Sequence, residues 1–490
     1  MATKLSGPVC VRFPPSPTGF LHVGGARTAI YNELLRRNLG GKLVLRIEDT
    51  DRQRSDEAMT AQIRSALTWL GVSWDEGPFL QSEHVERHRE LAHQLVAEGK
   101  AYHCFQTPEI LEQKRREAEK DGNTLRYRSV FSPPSAEEVE ERLAKGEPYA
   151  VRFRMPDGAI RFHDLVRGDM EFAPEVLDDF IILRSDGSPT YHLSVVVDDA
   201  DAGITHVLRG EDHLSNTPKH IALYEALGRP VPVFGHLPMI LGPDRKRLSK
   251  RTGATSVEEF RNEGILPQAL YNYLALLGWS PGGDREVMSK DEMIELFTAE
   301  RLGASASIFD YDKLKWVNAQ YMSSLPLDEI MEHGAPFLEA VGLGDVDQDR
   351  LRTVVDLHRT RAHNLADLAG YVTPYFRDAL EYNLEDCAKI FKKGPIADLL
   401  DPLIERYAAL DTFDIESTDA ALREVATELD VKAGVLIHPA RMALTASKAG
   451  PPLFDVVAAM GQEASLRHLR HFADFARAQQ AGDGSGDSQA

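Results

Sequence analysis

Cysteine is scarce in this sequence: Cys10, Cys104 and Cys387 stand far apart and are odd in number. That excludes a disulfide framework and fits free thiols in a reducing compartment. Long hydrophobic runs are also missing. No stretch approaches the ~20 apolar residues needed to span a bilayer, and Met1–Pro8 has no apolar signal core. The expectation is a cytoplasmic protein with no membrane partner. The third deficit is positive charge. Lysine and arginine total 56 against 76 aspartate and glutamate, a net charge of −20, the wrong sign for a general nucleic-acid binder.

Any contact with nucleic acid must therefore use local patches, and three are present. Asp244–Arg251 sets Arg245, Lys246, Arg247, Lys250 and Arg251 against one acid. Arg350–Arg361 holds Arg350, Arg352, Arg359 and Arg361 against Asp356, and between Asp430 and Asp455 no acid occurs while Lys432, Arg441 and Lys448 do. Apart from charge the composition is that of an ordinary globular chain, 43% hydrophobic and 27% charged. At 490 residues the chain is too long for a single core and predicts about three or four packed units.

The first hundred residues read as α/β. An apolar strand at Pro8–Phe13 (PVCVRF) is followed by the breaker-rich loop Pro14–Gly25. A helix over Gly25–Asn38 then places Ala26, Ala29, Ile30, Leu34 and Leu35 on one face, and Lys42–Ile47 reads as a second strand. This order opens a doubly wound parallel sheet, whose ligands sit at the carboxyl ends of its strands. Residues from about 104 to 180 interrupt it with a charged helix, Pro108–Lys120, and sheet-like sequence resumes at Phe180–Leu183, Thr190–Val197 and Gly203–Leu208. From about 325 to Ala478 nearly every segment has helical period, and Ala481–Ala490 (AGDGSGDSQA) reads as a disordered tail.

Two motifs carry chemistry. In PSPTGFLHVGG, Gly24 and Gly25 let the backbone approach a ligand, the free amides of the helix N-terminus favour an anion, and His22 is placed to donate to phosphate. In Arg247-Leu248-Ser249-Lys250-Arg251, just after Leu237–Leu241, the lysine is a mobile point charge suited to triphosphate. Taken singly, each also reads as an ordinary surface turn. Together and in this order they resemble the two signature sequences of class I aminoacyl-tRNA synthetases. The likeness extends to RFPPSPTG at Arg12–Gly19, LRIEDTD at Leu45–Asp51, WDEGP at Trp74–Pro78, PTY at Pro189–Tyr191, VDD at Val197–Asp199 and LRGED at Leu208–Asp212. These are similar to the bacterial glutamyl-tRNA synthetases over nearly the whole chain.

The resemblance implies an ATP-dependent glutamate–tRNA ligase. Glutamate would attack ATP to form glutamyl adenylate, and the terminal adenosine of tRNA(Glu) would then take the glutamyl group through its 2′ oxygen. It assigns His22 and Lys250 to charge stabilisation at the reacting phosphate. ATP would be bound by Gly19, His22, Gly24, Gly25, Arg247, Ser249 and Lys250, with Mg2+ held largely by the phosphates. Glutamate carries two carboxylates and one ammonium, so its site needs two cations and one anion. The family pattern gives Arg12 to the side-chain carboxylate, Arg209 to the α-carboxylate and Glu48 to the ammonium, with Ser16 and Tyr191 adding hydrogen bonds. Bidentate arginine–carboxylate geometry would reject glutamine, whose amide points donors at donors.

The resemblance also implies a monomer that activates glutamate only with tRNA bound. It divides the chain into 1–103, the first half of a Rossmann-like catalytic domain; 104–184, an acceptor-binding insertion; and 185–245, its second half. There follow 246–324, a stem-contact region with the second signature; 325–478, a helical anticodon-binding domain; and the tail 479–490. Arg361, in DLHRTRA at Asp356–Ala362, aligns with the arginine associated with reading the third anticodon base. That implies a discriminating enzyme, the alternative being one that also charges tRNA(Gln). Some relatives carry a cysteine-rich zinc knot in the insertion, but here Gln106 stands where a cysteine partner for Cys104 would be expected. One cysteine does not make a tetrahedral site, so no structural zinc or other bound metal is expected. A glutaminyl enzyme ending in β-barrels, a truncated paralogue that modifies a tRNA base, a small-molecule nucleotidyltransferase and a non-catalytic tRNA-binding protein are the competing readings.

Overall fold

The computed structural model describes residues 8–50, 57–120, 122, 125–249, 253–392 and 394–483. Strand Val9–Phe13 is buried along its whole length and pairs in parallel with Gly41–Ile47, which pairs in parallel with Glu76–Leu80. Both faces of such strands are covered, which is why VCVRF and KLVLRI read as continuous apolar runs. A side chain at Gly41 would put a Cβ only 2.0 Å from the Val9 carbonyl oxygen, so this register requires glycine. On the other side, Thr205 N donates to Cys10 O at 2.8 Å and Cys10 N donates to Thr205 Oγ1 at 2.8 Å. That contact leads into His206–Gly210, which is parallel to Val233–Leu237. Val233–Leu237 meets Ile160–Asp164 at Phe234, and Gly168–Phe172 closes the edge antiparallel.

The crossover Val23–Leu39 begins two residues before the expected start. His22 caps it, Arg36 and Arg37 lie in the last turn where the helix dipole favours cations, and Gly40 at φ +69° ends it. One expectation is overturned. Thr190–Val197, whose valines suggest a strand, lies mostly in a helix, Tyr191–Asp201. Intrinsic preference is a weak prior that packing overrides. As a helix this segment buries every residue from Leu193 to Asp199 and brings two adjacent aspartates into the interior together. Farther along, Ala101–Cys104, Ala150–Phe153 and Phe180–Leu183 form an antiparallel sheet, while Pro108–Lys120 and Ala136–Ala144 bury none of their residues. The Cys104 thiol lies 3.2 Å from the Tyr127 hydroxyl in a small buried cluster.

The chain divides into two compact units, residues 1–260 with 270–310, and residues 261–269 with 311–490. The second unit is helical from Tyr311–Ser324 to Gln462–Asp483. Asp347, Asn364, Asn383 and Asp414 cap four of its helices by accepting backbone N–H bonds. Leu400, Leu403, Ile404 and Tyr407 make the buried stripe of Ile396–Ala408, the period-3.6 signal legible in the sequence. Asn318 ties 261–269 to this unit, its Oδ1 accepting from Leu266 N at 2.8 Å. The last helix runs on into the segment read as a tail, because Gln480 Nε2 donates to Gly394 O at 2.8 Å and its Oε1 accepts from Ile396 N at 3.1 Å. Residues 484–490 lie outside the described residues.

Candidate active site

The first signature segment is bonded through its backbone to the chain just beyond the second. Val23 N donates to Thr255 O and Val257 N to Leu21 O, both at 2.9 Å, so the return of the second loop is fastened beside His22. At its start, Leu248 N donates to Ile240 O at 3.3 Å and the Leu248 side chain is buried. His22 Nδ1 accepts from Gly24 N at 3.1 Å, which leaves the proton on Nε2. Burial, then the Arg247 cation, lowers the His22 pKa, so this imidazole is a neutral N–H donor at neutral pH. The first turn of its helix carries no acid, keeping the helix N-terminus attractive to an anion.

The glutamate candidates are held by a buried ionic frame. Arg12, 1% exposed, donates from Nε to Asp199 Oδ2 at 3.0 Å, and its buried Nη1 has no hydrogen-bond partner among the described residues. Arg46 Nη1 donates to Asp199 Oδ1 at 2.6 Å and its Nη2 to Glu48 Oε1 at 3.4 Å. Burial raises the Glu48 pKa, with Arg46 and then Arg12 opposing it, and an ammonium beside it would add to that opposition.

Arg209 is built differently. Its Nε donates to His236 Nε2 at 3.1 Å, its Nη1 lies 3.2 Å from His220 Nδ1, and its Nη2 donates to Thr217 Oγ1 at 2.9 Å. It is 5% exposed, and among the described residues no carboxylate is paired with it. A buried guanidinium held only by neutral acceptors favours an anion from outside.

These groups line one cavity of about 550 Å³, within the usual range for small-molecule sites. Its wall includes Arg12, Ser16, Gly19, His22, Gly24, Gly25, Glu48, Tyr191, Arg209 and Arg247. The Tyr191 hydroxyl lies 3.1 Å from His213 Nδ1. Ser249 is exposed and not on this wall, and Lys250 lies outside the described residues. Arg361 belongs to the helical unit. It is exposed just beyond helix Gln348–Arg359, with its backbone N donating to His358 O at 2.9 Å. Its basic neighbours in sequence are committed within the protein, Arg350 to Tyr375 O and Met460 O, Arg352 to Asp328, Arg359 to Asp356 and Leu325 O. Among the described residues the Arg361 guanidinium has no such partner, and it lies close enough to help depress the pKa of Arg441.

The sequence reading left Asp199, Arg46, His236 and His220 without a role. Asp199 and Arg46 were visible only as parts of motifs, and the two histidines show themselves only through tertiary contacts. His192 Nδ1 lies 3.2 Å from His220 Nε2, and burial, then the Lys219 and Arg209 cations, hold the His192 pKa down at about 4. The unfolded chain binds this proton near pH 6.5, so the stability gained by keeping His192 neutral is complete above that value. It is lost as pH falls toward about 4. That interval corresponds to roughly 3 kcal/mol. Urea midpoints at pH 7 and pH 5 should show the wild type losing more stability on acidification than His192→Gln, and equal losses would contradict this account.

Among the described residues no group of three or more potential ligands is arranged to hold a metal ion, and no helix is long and apolar enough to cross a membrane. Residues 8–316 match the family described as tRNA synthetases class I (E and Q), catalytic domain, and residues 329–473 match the anticodon binding domain. The chain is 46% identical to glutamate–tRNA ligase 2 of Koribacter versatilis, over 96% of this chain and 99% of that one. It is 43% identical to glutamate–tRNA ligase 2 of Thermoanaerobacter pseudethanolicus, over 95% and 98%. The crystal structure of a glutamate tRNA ligase from Elizabethkingia meningosepticum in complex with its amino acid superimposes with a TM-score of 0.86. That likeness is at 32% identity and covers 96% of this chain and 99% of that chain.

Proposed function

This chain belongs to the glutamate–tRNA ligases of the class I synthetases, and from that premise we propose how its cavity performs the reaction. The enzyme is an aminoacyl-tRNA ligase that uses glutamate, ATP and tRNA. A carboxylate oxygen of glutamate attacks the α-phosphorus of ATP and pyrophosphate leaves. A hydroxyl of the terminal adenosine of tRNA then attacks the glutamyl carbonyl and AMP leaves. No protein nucleophile is needed. The protein's part is to align the reactants and stabilise developing charge.

The observation that carries the assignment is the charge arrangement of the cavity wall. Two buried guanidiniums, Arg12 with a free Nη1 and Arg209 with only neutral partners, face a site that also presents Glu48 and the neutral donor His22. That is the complement of a dicarboxylate bearing one ammonium. Arg12 takes the side-chain carboxylate, Arg209 the α-carboxylate and Glu48 the ammonium, with Ser16 and Tyr191 as hydrogen-bonding partners. Gly19, His22, Gly24 and Gly25 bind ATP, the glycines letting it approach the protein backbone, and Arg247, Ser249 and Lys250 serve the phosphates. Mg2+ enters with ATP as part of the substrate. It would be held largely by the oxygens of the phosphates. The enzyme works as a cytoplasmic monomer. Residues 104–184 contact the acceptor end and residues 325–478 the anticodon. ATP–pyrophosphate exchange with glutamate, with and without tRNA, tests the reading: exchange should require cognate tRNA, and exchange with glutamine but not glutamate would overturn it.

Lys250→Ala is expected to lower the adenylation rate while leaving glutamate affinity nearly unchanged, because its charge matters most as negative charge develops in transfer. Loss of one such contact costs ~2.7–4 kcal/mol in the transition state. Turnover close to wild type in single-turnover assays would contradict the role.

Arg361 supplies discrimination between tRNAs that differ at the third anticodon base, cytosine in tRNA(Glu) against guanine in tRNA(Gln). Its support is the exposed guanidinium with no partner among the described residues, free to donate to a base edge. Wild-type enzyme should charge tRNA(Glu) far better than tRNA(Gln), and Arg361→Gln should narrow the ratio by roughly 10-fold, the ~1–3 kcal/mol of one base contact. Comparable charging of both by the wild type would show the enzyme to be non-discriminating.

A further inference from the structure

Behind Arg209 lies a buried chain of polar groups that reaches no solvent. Asp164 and His236 are both 0% exposed. Asp164 Oδ1 accepts from the backbone N–H groups of Val166 and Arg167 at 3.0 Å and of His236 at 3.2 Å. The other oxygen, Oδ2, lies 2.5 Å from His236 Nδ1. An aspartate so engaged acts as an acceptor at Oδ2, so the His236 proton resides on Nδ1. The far nitrogen, Nε2, is then an acceptor, and it receives Arg209 Nε–H at 3.1 Å with Thr217 Oγ1 at 2.9 Å. Arg209 is thereby fixed by a neutral imidazole and its charge is not cancelled. Had Asp164 itself touched the guanidinium, the pair would have been closed and the attraction for an incoming carboxylate greatly weakened.

We propose that Asp164 is a positioning residue for glutamate, acting through the His236 tautomer to hold Arg209 as an oriented, uncompensated cation for a substrate carboxylate. This rests on the assignment of Arg209 to glutamate made above. The logic of the chain dictates the substitution that breaks it. In Asp164→Asn, the three backbone donors keep the amide oxygen, so the amide N–H₂ faces His236. Nδ1 must then accept, the proton moves to Nε2, and a donor meets the donor Nε–H of Arg209.

Steady-state pyrophosphate exchange with tRNA present, on the full-length protein, reads the effect. Asp164→Asn should raise KM for glutamate roughly 10- to 100-fold, the size of setting one buried donor against another, while KM for ATP stays within about twofold. A second pair of variants keeps the question open to refutation if that protein folds poorly. His236→Gln retains an acceptor for Arg209 and a donor for Asp164, and should stay near wild type in KM for glutamate. His236→Leu retains neither and should raise it. Equal behaviour of the glutamine and leucine variants, or parallel rises in KM for glutamate and ATP, would overturn the proposal. Arg209→Ala in the same assay separates the two assignments. If it leaves KM for glutamate unchanged, the role of Arg209 itself fails. If it raises KM while Asp164→Asn and His236→Leu do not, only the positioning chain fails.

Discussion

Arg209→Ala is expected to reduce kcat/KM for glutamate by roughly 30- to 5,000-fold, with a much smaller change for ATP. The figure follows from the usual ~2–5 kcal/mol for truncating one member of a buried, hydrogen-bonded charge pair. Arg209 belongs at the upper part of that range because its existing partners, His236, His220 and Thr217, are all neutral. The substrate would contribute the compensating anion, so truncation removes a charge that the protein does not otherwise satisfy. The variant also leaves His236 Nε2 with one donor fewer, a smaller effect that the fold can absorb. Arg209→Lys should recover little, since an ammonium cannot keep three neutral acceptors and still offer a planar fork to a carboxylate. Pyrophosphate exchange titrated separately in glutamate and in ATP is the measurement. A loss of less than about fivefold in kcat/KM for glutamate would remove Arg209 from the site.

The second large effect is on the fold. In Asp199→Asn, Arg12 and Arg46 lose the carboxylate that bridges them at 3.0 and 2.6 Å in a fully buried setting. Breaking a buried ion pair from one side typically costs ~3–5 kcal/mol, because the opposite charge remains buried and uncompensated. Here two cations share the loss, and among the described residues the carboxylates left beside Arg46 are Glu48 at 3.4 Å and Asp198 at 3.8 Å. At roughly 2–4 °C per kcal/mol for a unit of this size, the first melting transition should fall by about 10 °C. Thermal unfolding followed by circular dichroism checks this. A variant melting within about 2 °C of the wild type would show that Arg46 and Glu48 carry the frame without Asp199. Saturating glutamate should restore part of the loss, since its carboxylate would stand near Arg12.

Much of the architecture was legible from pattern alone. Continuous apolar runs with a glycine-rich turn between them announce buried parallel strands and a crossover helix, and Val9–Phe13, Val23–Leu39 and Gly41–Ile47 follow that pattern closely. The helical half was equally readable, because stripes such as Leu400, Leu403 and Tyr407 repeat at the helical period. The valines before Asp198 misled, since local β preference yields when a segment is buried on all sides and must deliver two aspartates inward. The basic segment Arg350–Arg361 read as one patch, but most of its arginines are spent on carbonyls and carboxylates of the protein itself.

What the sequence determined by itself is the inventory: a histidine at a glycine-rich helix start, a basic second loop, and arginines and a glutamate at the carboxyl ends of strands. The histidine and the basic loop follow from local chemistry and short-range periodicity, which a linear string records directly, whereas the arginines and the glutamate entered only through the resemblance of their motifs to the family. Only the tertiary structure decided which charges are cancelled and which remain available. Arg12 and Arg46 are alike in sequence context with Arg209, yet the first two share Asp199 while the third, among the described residues, meets only imidazoles, a hydroxyl and a backbone carbonyl. That distinction depends on the separation between groups and on how far each is removed from water. Both are set by the meeting of strands Ile160–Asp164, His206–Gly210 and Val233–Leu237, whose carboxyl ends bring Asp164, Arg209 and His236 into one line of contacts.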